Sequence, residues 1–78
     1  MKSSKKKEMS PIVIEVGKRI SAIIRQKGLK QRDVAYEAEL DVENLRKYMK
    51  GRQEMKISTL YRIVTALRVE ISDLFKKK

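Results

Sequence analysis

Apolar residues recur at helical spacing along the chain, beginning at Val13. The first stretch predicts a helix over residues 12–27, and its apolar positions are Val13, Val16, Ile20 and Ile23. Ser10 and Pro11 form a start signal, because serine caps helix ends and proline tolerates the first turn. Gly28 follows the last periodic residue and predicts the end of this helix.

Two shorter apolar stretches follow. The second helix is predicted over residues 31–38, with Val34, Ala35 and Ala38 on its inner face. Asp41 is a suitable N-cap for a third helix over residues 42–50, and Gly51 predicts its end. The inner face of the third helix consists of Leu45, Tyr48 and Met49.

The C-terminal half continues the helical pattern after a polar loop over residues 52–56. A fourth helix is predicted from the spacing of Ile57, Leu60, Ile63, Val64 and Leu67. A short fifth helix is predicted from Ile71, Leu74 and Phe75. No stretch alternates apolar and polar residues as a β-strand does, so the sequence predicts a compact all-α domain of five helices.

The composition narrows the classes of function. The chain has 78 residues, 41% of them hydrophobic, and neither cysteine nor histidine. Disulfides, zinc-finger ligation and thiol or Ser/His catalysis are therefore excluded, and we expect no enzyme activity, cofactor or metal. No apolar run approaches the ~18 residues of a membrane span. We expect a soluble, cytoplasmic protein without a membrane partner.

Positive charge is the strongest compositional signal. Twenty Lys and Arg against ten Asp and Glu give a net charge of +10, which favours a polyanionic partner. Lysines at the ends predict a basic flexible arm over residues 1–9 and a basic tail over residues 76–78, around a domain of residues 10–75. The arm is either a solvated end or a DNA-binding arm, in which the candidate contacts are Lys5, Lys6 and Lys7.

Several separated motifs resemble one known family. They are Val16-Gly17-Lys18-Arg19-Ile20, then Gly28-Leu29-Lys30-Gln31-Arg32-Asp33-Val34-Ala35, then Leu45, Gly51 and Ala66-Leu67, with Ile71, Leu74 and Phe75 last. In this order they resemble the Xre/Cro-like, or lambda-repressor-like, helix-turn-helix regulators over about residues 16–75. The resemblance implies a five-helix fold in which the third helix lies in the major groove of DNA.

The resemblance also implies roles for individual residues of this chain. The expected base-reading positions are Val42, Glu43 and Lys47. The expected contacts with the DNA backbone are Gln31, Asn44, Lys50 and Arg52, and Arg46 joins them because it belongs to the same cluster of cations. Lysine can donate to guanine and valine can touch a thymine methyl, whereas Glu43 either accepts from cytosine N4 or serves as a favourable charge at the helix N-terminus. Tyr36 is the one aromatic expected to reach a phosphate or a partner.

The chain departs from the family pattern at four positions. Glu39 and Arg68 stand where glycine is common, and a side chain with positive φ costs on the order of 1 kcal/mol, so we expect a slightly different turn at Glu39. Ile24 and Met49 replace a frequent arginine–glutamate pair, and replacement of both partners by apolar groups can be neutral. We therefore expect Ile24 and Met49 to touch.

The leading interpretation is a sequence-specific regulator that binds double-stranded DNA as a homodimer on a palindromic operator, with residues 41–50 as the recognition helix. The expected dimer interface comprises Val69, Ile71, Leu74 and Phe75, which could otherwise simply close the core of the monomer. One alternative is an antitoxin-type module that binds both DNA and a toxin partner. A basic RNA-binding or ribosome-associated protein is a further alternative, which charge alone permits.

Overall fold

The described chain is a succession of helices joined by short connections. The computed structural model describes residues 9–75, and residues 1–8 and 76–78 lie outside the described residues. Helix α1 spans Pro11–Lys27, α2 spans Gln31–Glu37, α3 spans Val42–Met49 and α4 spans Ile57–Leu67. A 3₁₀ helix, Ile71–Leu74, follows α4. No strand occurs between residues 9 and 75, and none of the helices there is long and apolar enough to cross a membrane.

The predicted helices agree with these bounds to within one residue, with one exception. The fifth predicted helix is a single 3₁₀ turn, so the described residues contain four α-helices rather than five. This turn is stabilised by a capping box in which the Asp73 Oδ2 accepts a hydrogen bond of 2.9 Å from the Glu70 backbone N–H. Ser10 and Asp41 stand at the N-cap positions of α1 and α3 as predicted, but their side chains make no capping hydrogen bond.

The core forms where all four helices and the 3₁₀ helix converge. α1 packs against α3, α2 packs against both α3 and α4, and the 3₁₀ helix packs against α1 and α4. The largest fully buried side chains are Ile20, Leu45, Ile63, Leu67 and Leu74. Because Leu74 is completely buried within one chain, it is not available for the dimer interface predicted from the sequence. Burial of apolar area at this junction holds α3 in place from its inner side.

All four α-helices end in the same way. After each one, a residue adopts a left-handed conformation, with φ of 66° at Gly28, 60° at Glu39, 69° at Gly51 and 61° at Arg68. The next amide donates back to the preceding turn, as in the 2.8 Å hydrogen bond from the Leu40 N–H to the Ala35 carbonyl. The expectation that the turn at Glu39 would differ is therefore wrong, because Glu39 takes the glycine-like conformation itself.

Three basic side chains donate hydrogen bonds to backbone carbonyls near the C-terminal ends of neighbouring elements. Arg62 of α4 donates to the Ala38 carbonyl at 2.9 Å, which ties α4 to the connection between α2 and α3. Lys27 donates to the Leu67 carbonyl at 3.0 Å, and Arg19 donates to the Asp73 carbonyl at 3.3 Å. Cations near helix C-termini satisfy carbonyls that lack a helical partner, so these three side chains stabilise the fold itself.

Helix α1 approaches the end of α3 unusually closely at Gly17. A Cβ atom at this position would clash with the Tyr48 carbonyl oxygen and would lie 2.9 Å from that of Met49. On the same pair of helices, Ile24 is buried and Met49 is half-buried, and both line one groove. The two side chains therefore lie on the same side of the α1–α3 pair, and their direct contact stays a prediction.

Candidate nucleic-acid interface

Helices α2 and α3 pack against each other and present polar side chains to solvent. The two helices are joined by residues 38–41, and Leu45 and Tyr48 bury the inner side of α3 in the core. The exposed residues of α3 are Glu43, Arg46 and Lys47, and those of the loop that follows are Lys50, Arg52, Gln53, Glu54 and Lys56. A short helix anchored on one side and cationic on the other can lie against a grooved polyanion.

The predicted base-reading residues occupy the first turns of α3. Val42 is half-buried and packs against the core cluster, whereas Glu43 and Lys47 are exposed and lie four residues apart along the helix. Only part of the Val42 side chain is therefore open to a ligand. Asn44 is half-buried, and Gln31 is half-buried at the first position of α2.

Hydrogen bonds bring three of the predicted site residues together. The Arg46 Nε donates to the Gln31 Oε1 at 3.0 Å, and the Arg46 Nη1 lies 3.3 Å from the Glu43 Oε2. Arg46 thus joins the start of α2 to the start of α3. Sequence reasoning placed Arg46 among the contacts with the DNA backbone and did not find this bridge, although Glu43 and Arg46 stand at the i, i+3 spacing that favours such a pair.

A basic groove lies beside this bridge, and sequence reasoning missed it. Its walls carry Arg25 from α1, Lys30 before α2, and Arg32, in addition to Arg46. Ile24, Leu29 and Met49 contribute its apolar part, with Ser21 and Gln31 completing the lining. Charge alone did not reveal this cluster, because its residues come from three separate segments that only the fold brings together.

The remaining predicted residues lie on other elements than α3 or outside the described residues. The candidate arm residues Lys5, Lys6 and Lys7 lie outside the described residues. Tyr36 is 84% exposed on α2. Of the predicted dimer residues, Val69 and Ile71 are half-buried and Phe75 is 45% exposed.

Comparison with known families shows which family of domains the chain belongs to. The sequence profile of the Cro/C1-type helix-turn-helix DNA-binding domain matches residues 19–77, about three quarters of the chain. The chain belongs to this family. The helix-turn-helix unit of this DNA-binding regulator is α2, the connection and α3. No curated protein sequence matches the chain.

Solved structures with the same fold include controller proteins of restriction-modification systems. C.AhdI from Aeromonas hydrophila superposes with a TM-score of 0.77 at 25% identity, covering 81% of this chain and 96% of that one. C.Esp1396I bound to a 25 base pair operator site has a TM-score of 0.77 at 27% identity, covering 85% and 87%. The clp gene regulator ClgR from C. glutamicum has a TM-score of 0.81 at 20% identity, covering 85% and 86%, and shows the shared fold alone.

Proposed function

We propose that this helix-turn-helix domain is a sequence-specific transcriptional regulator that binds a palindromic DNA operator as a homodimer. The observation that carries the proposal is the surface of α3, where Glu43, Arg46 and Lys47 are exposed while Leu45 and Tyr48 fix the helix in the core. An α-helix fits the major groove, in which every base pair presents a distinct pattern of donors and acceptors. We infer that α3 enters this groove.

The roles of the individual residues follow from their position and chemistry. Val42, Glu43 and Lys47 would meet base edges, whereas Asn44, Lys50 and Arg52 at the flanks would contact phosphates. Gln31 begins α2, where its amide N–H groups can donate to a phosphate because its oxygen accepts from Arg46. The candidate arm, with Lys5, Lys6 and Lys7, would add contacts in a neighbouring groove.

The homodimer is supported by an apolar edge at the C-terminal end of the described residues. Val69 and Ile71 are half-buried and pack against the core of the same chain, so only part of each is open to a second copy. Phe75 keeps 45% of its surface exposed and is the main support for the interface. A single recognition helix covers only a few base pairs, so two symmetry-related copies about one helical turn apart would multiply both affinity and specificity. Sedimentation velocity tests the interface: Phe75→Asp should give monomers, while Tyr36→Asp, which changes another exposed aromatic, should leave dimers intact.

Selection of bound sites from random DNA duplexes tests the function as a whole. We expect enrichment of an inverted repeat whose half-sites lie ~10 base pairs apart. Recovery of a single asymmetric site would refute the homodimer on a palindrome. Recovery of no sequence preference would refute sequence-specific binding, and stronger competition by structured RNA than by duplex DNA would favour the RNA-binding alternative.

The biological setting that the comparisons support is control of a restriction-modification system. Two proteins of this fold at 25% and 27% identity are restriction-modification controllers, and one of them is described with its operator. Neither these proteins nor ClgR supports the antitoxin alternative. Genes for a methyltransferase and an endonuclease beside the gene for this chain would support the setting, and a neighbouring toxin gene would contradict it.

A further inference from the structure

The Glu43 carboxylate forms an ion pair with Arg46 on the surface of the same chain. The Arg46 Nη1 lies 3.3 Å from the Glu43 Oε2, and the Nε of the same guanidinium donates to the Gln31 Oε1 at 3.0 Å. The guanidinium is planar and presents its donors in a fixed fork. Engagement of two donors by residues of two helices therefore restricts the orientation of Arg46 and, through it, the position of the carboxylate.

The ion pair with Arg46 leaves the Glu43 carboxylate able to accept a hydrogen bond from a DNA base. An ionised carboxylate offers two oxygens with about four lone-pair sites, and Arg46 occupies only the Oε2 side. Among the base edges in the major groove, the amino group of cytosine is the donor that a carboxylate reads. A carboxylate near DNA is repelled by the phosphates, and a guanidinium fixed beside it offsets that repulsion.

We propose that Arg46 is a positioning residue that makes Glu43 a reader of cytosine. Arg46 holds one carboxylate oxygen, and the other accepts a hydrogen bond from cytosine N4 in the major groove. This inference rests on the proposed function of α3 as the recognition helix. It gives Arg46 a role in base preference, in contrast to Lys50 and Arg52, whose contacts with phosphates would carry no sequence information.

The neighbouring Lys47 takes a different role in this arrangement. Lys47 stands four residues after Glu43, a spacing that also permits an ion pair on a helix. In the structure the Glu43 carboxylate pairs with Arg46 on the side of Gln31. The exposed Lys47 ammonium can then donate to guanine O6 and N7, so that the two residues read bases of different kinds.

The experiment measures base preference with variants of the full chain. Each variant is bound to the operator enriched by the wild type and to duplexes that carry the other three base pairs at every position. Glu43→Gln should lose the preference for cytosine at one position and shift it toward adenine, the base that glutamine pairs with in bidentate fashion. Arg46→Met should lower the cytosine preference at that same position by roughly tenfold.

The double variant and a matched control separate positioning from a simple loss of charge. In the Glu43→Gln background, Arg46→Met should change base preference little, because the carboxylate that Arg46 positions is gone. Arg52→Met removes an exposed guanidinium without contact to Glu43, so it should weaken all sequences alike and reduce the salt slope by about one. Glu43 and Arg46 keep 70% and 47% of their side-chain surfaces exposed, and thermal unfolding should show that their variants fold like the wild type.

The outcomes distinguish this inference from the proposed function. If Arg46→Met weakens every duplex to the same extent, as Arg52→Met does, Arg46 is a phosphate contact and the inference is wrong. An unchanged base preference in Glu43→Gln would overturn it as well. A wild-type chain that enriches no sequence at all would instead overturn the proposed function, and this inference with it.

Discussion

Replacement of Gly17 by alanine should change the stability of the domain through two effects of opposite sign. Gly17 is buried in the interior of α1, where alanine is favoured over glycine by about 1 kcal/mol through helix propensity. The added Cβ, however, would clash with the Tyr48 carbonyl oxygen and stand 2.9 Å from the Met49 carbonyl oxygen. Both obstacles are backbone atoms at the end of α3, so no side-chain rotation can relieve the contact.

The steric effect should be the larger of the two. Overpacking a well-packed interior costs typically 1–3 kcal/mol, and the upper part of that range applies here because only a displacement of α3 can make room. A cost of about 3 kcal/mol less a gain of about 1 leaves a net loss of about 2 kcal/mol. For a domain of this size, such a loss lowers the melting temperature by roughly 8–16 °C. Displacement of α3 should also weaken operator binding.

Thermal and urea denaturation followed by circular dichroism measure this effect. Lys18→Ala, at the adjacent exposed position of α1, serves as the control and should change stability by less than about 0.5 kcal/mol. Gly17→Ser should destabilise at least as much as Gly17→Ala, since serine adds a further atom. If Gly17→Ala instead raised stability by about 1 kcal/mol, propensity alone would decide and the close approach of α1 to α3 would be wrong.

Further predictions concern the turn, the recognition helix and the arm. Glu39→Gly should raise the free energy of unfolding by up to about 1 kcal/mol, because glycine adopts a positive φ without strain. The control Gln26→Gly, inside α1, should lower it by about 1 kcal/mol. A lower stability of Glu39→Gly would argue against the positive φ at this position. Lys47→Ala should weaken the preferred operator by roughly tenfold in gel-shift titrations and relax specificity at one position, while Lys18→Ala should do neither. Removal of residues 1–8 should weaken DNA binding and reduce its dependence on salt concentration. Identical salt slopes with and without these residues would show that the arm does not contact DNA.

Helical periodicity and end signals predicted most of the fold because both are local. The spacing of Ile20, Leu45 and Ile63 on their helices reflects the inner faces that the structure buries, and Gly28 marks the end of α1. The last element was harder to predict. The apolar spacing around Leu74 fits a 3₁₀ turn as well as a short α-helix, since four residues do not separate periods of 3.0 and 3.6.

Most contacts between distant segments could not be predicted from the local pattern of one sequence. The bond from Arg46 to Gln31 joins residues 15 positions apart, and the contact of Gly17 with the end of α3 spans an even longer separation. Such contacts depend on how helices cross, and side-chain ridges permit several crossing angles for the same apolar pattern. The sequence predicted Glu43 either as a base-reading residue or as a favourable charge at the helix N-terminus. Only the fold shows that its carboxylate pairs with Arg46.

The distribution of cations bears on how strongly DNA binding should depend on salt. Arg19, Lys27 and Arg62 donate to backbone carbonyls of neighbouring elements, and Arg46 is engaged by Gln31 and Glu43. These four cations hold neighbouring elements of the fold together. They still contribute to the long-range field that steers DNA toward the protein, but a phosphate would have to compete for their donors. The salt slope of operator binding should therefore follow the cations without such bonds, which are Lys47, Lys50 and Arg52 and, in the groove, Arg25, Lys30 and Arg32, together with any contribution from the arm. It should fall well below the value that the total of basic residues suggests.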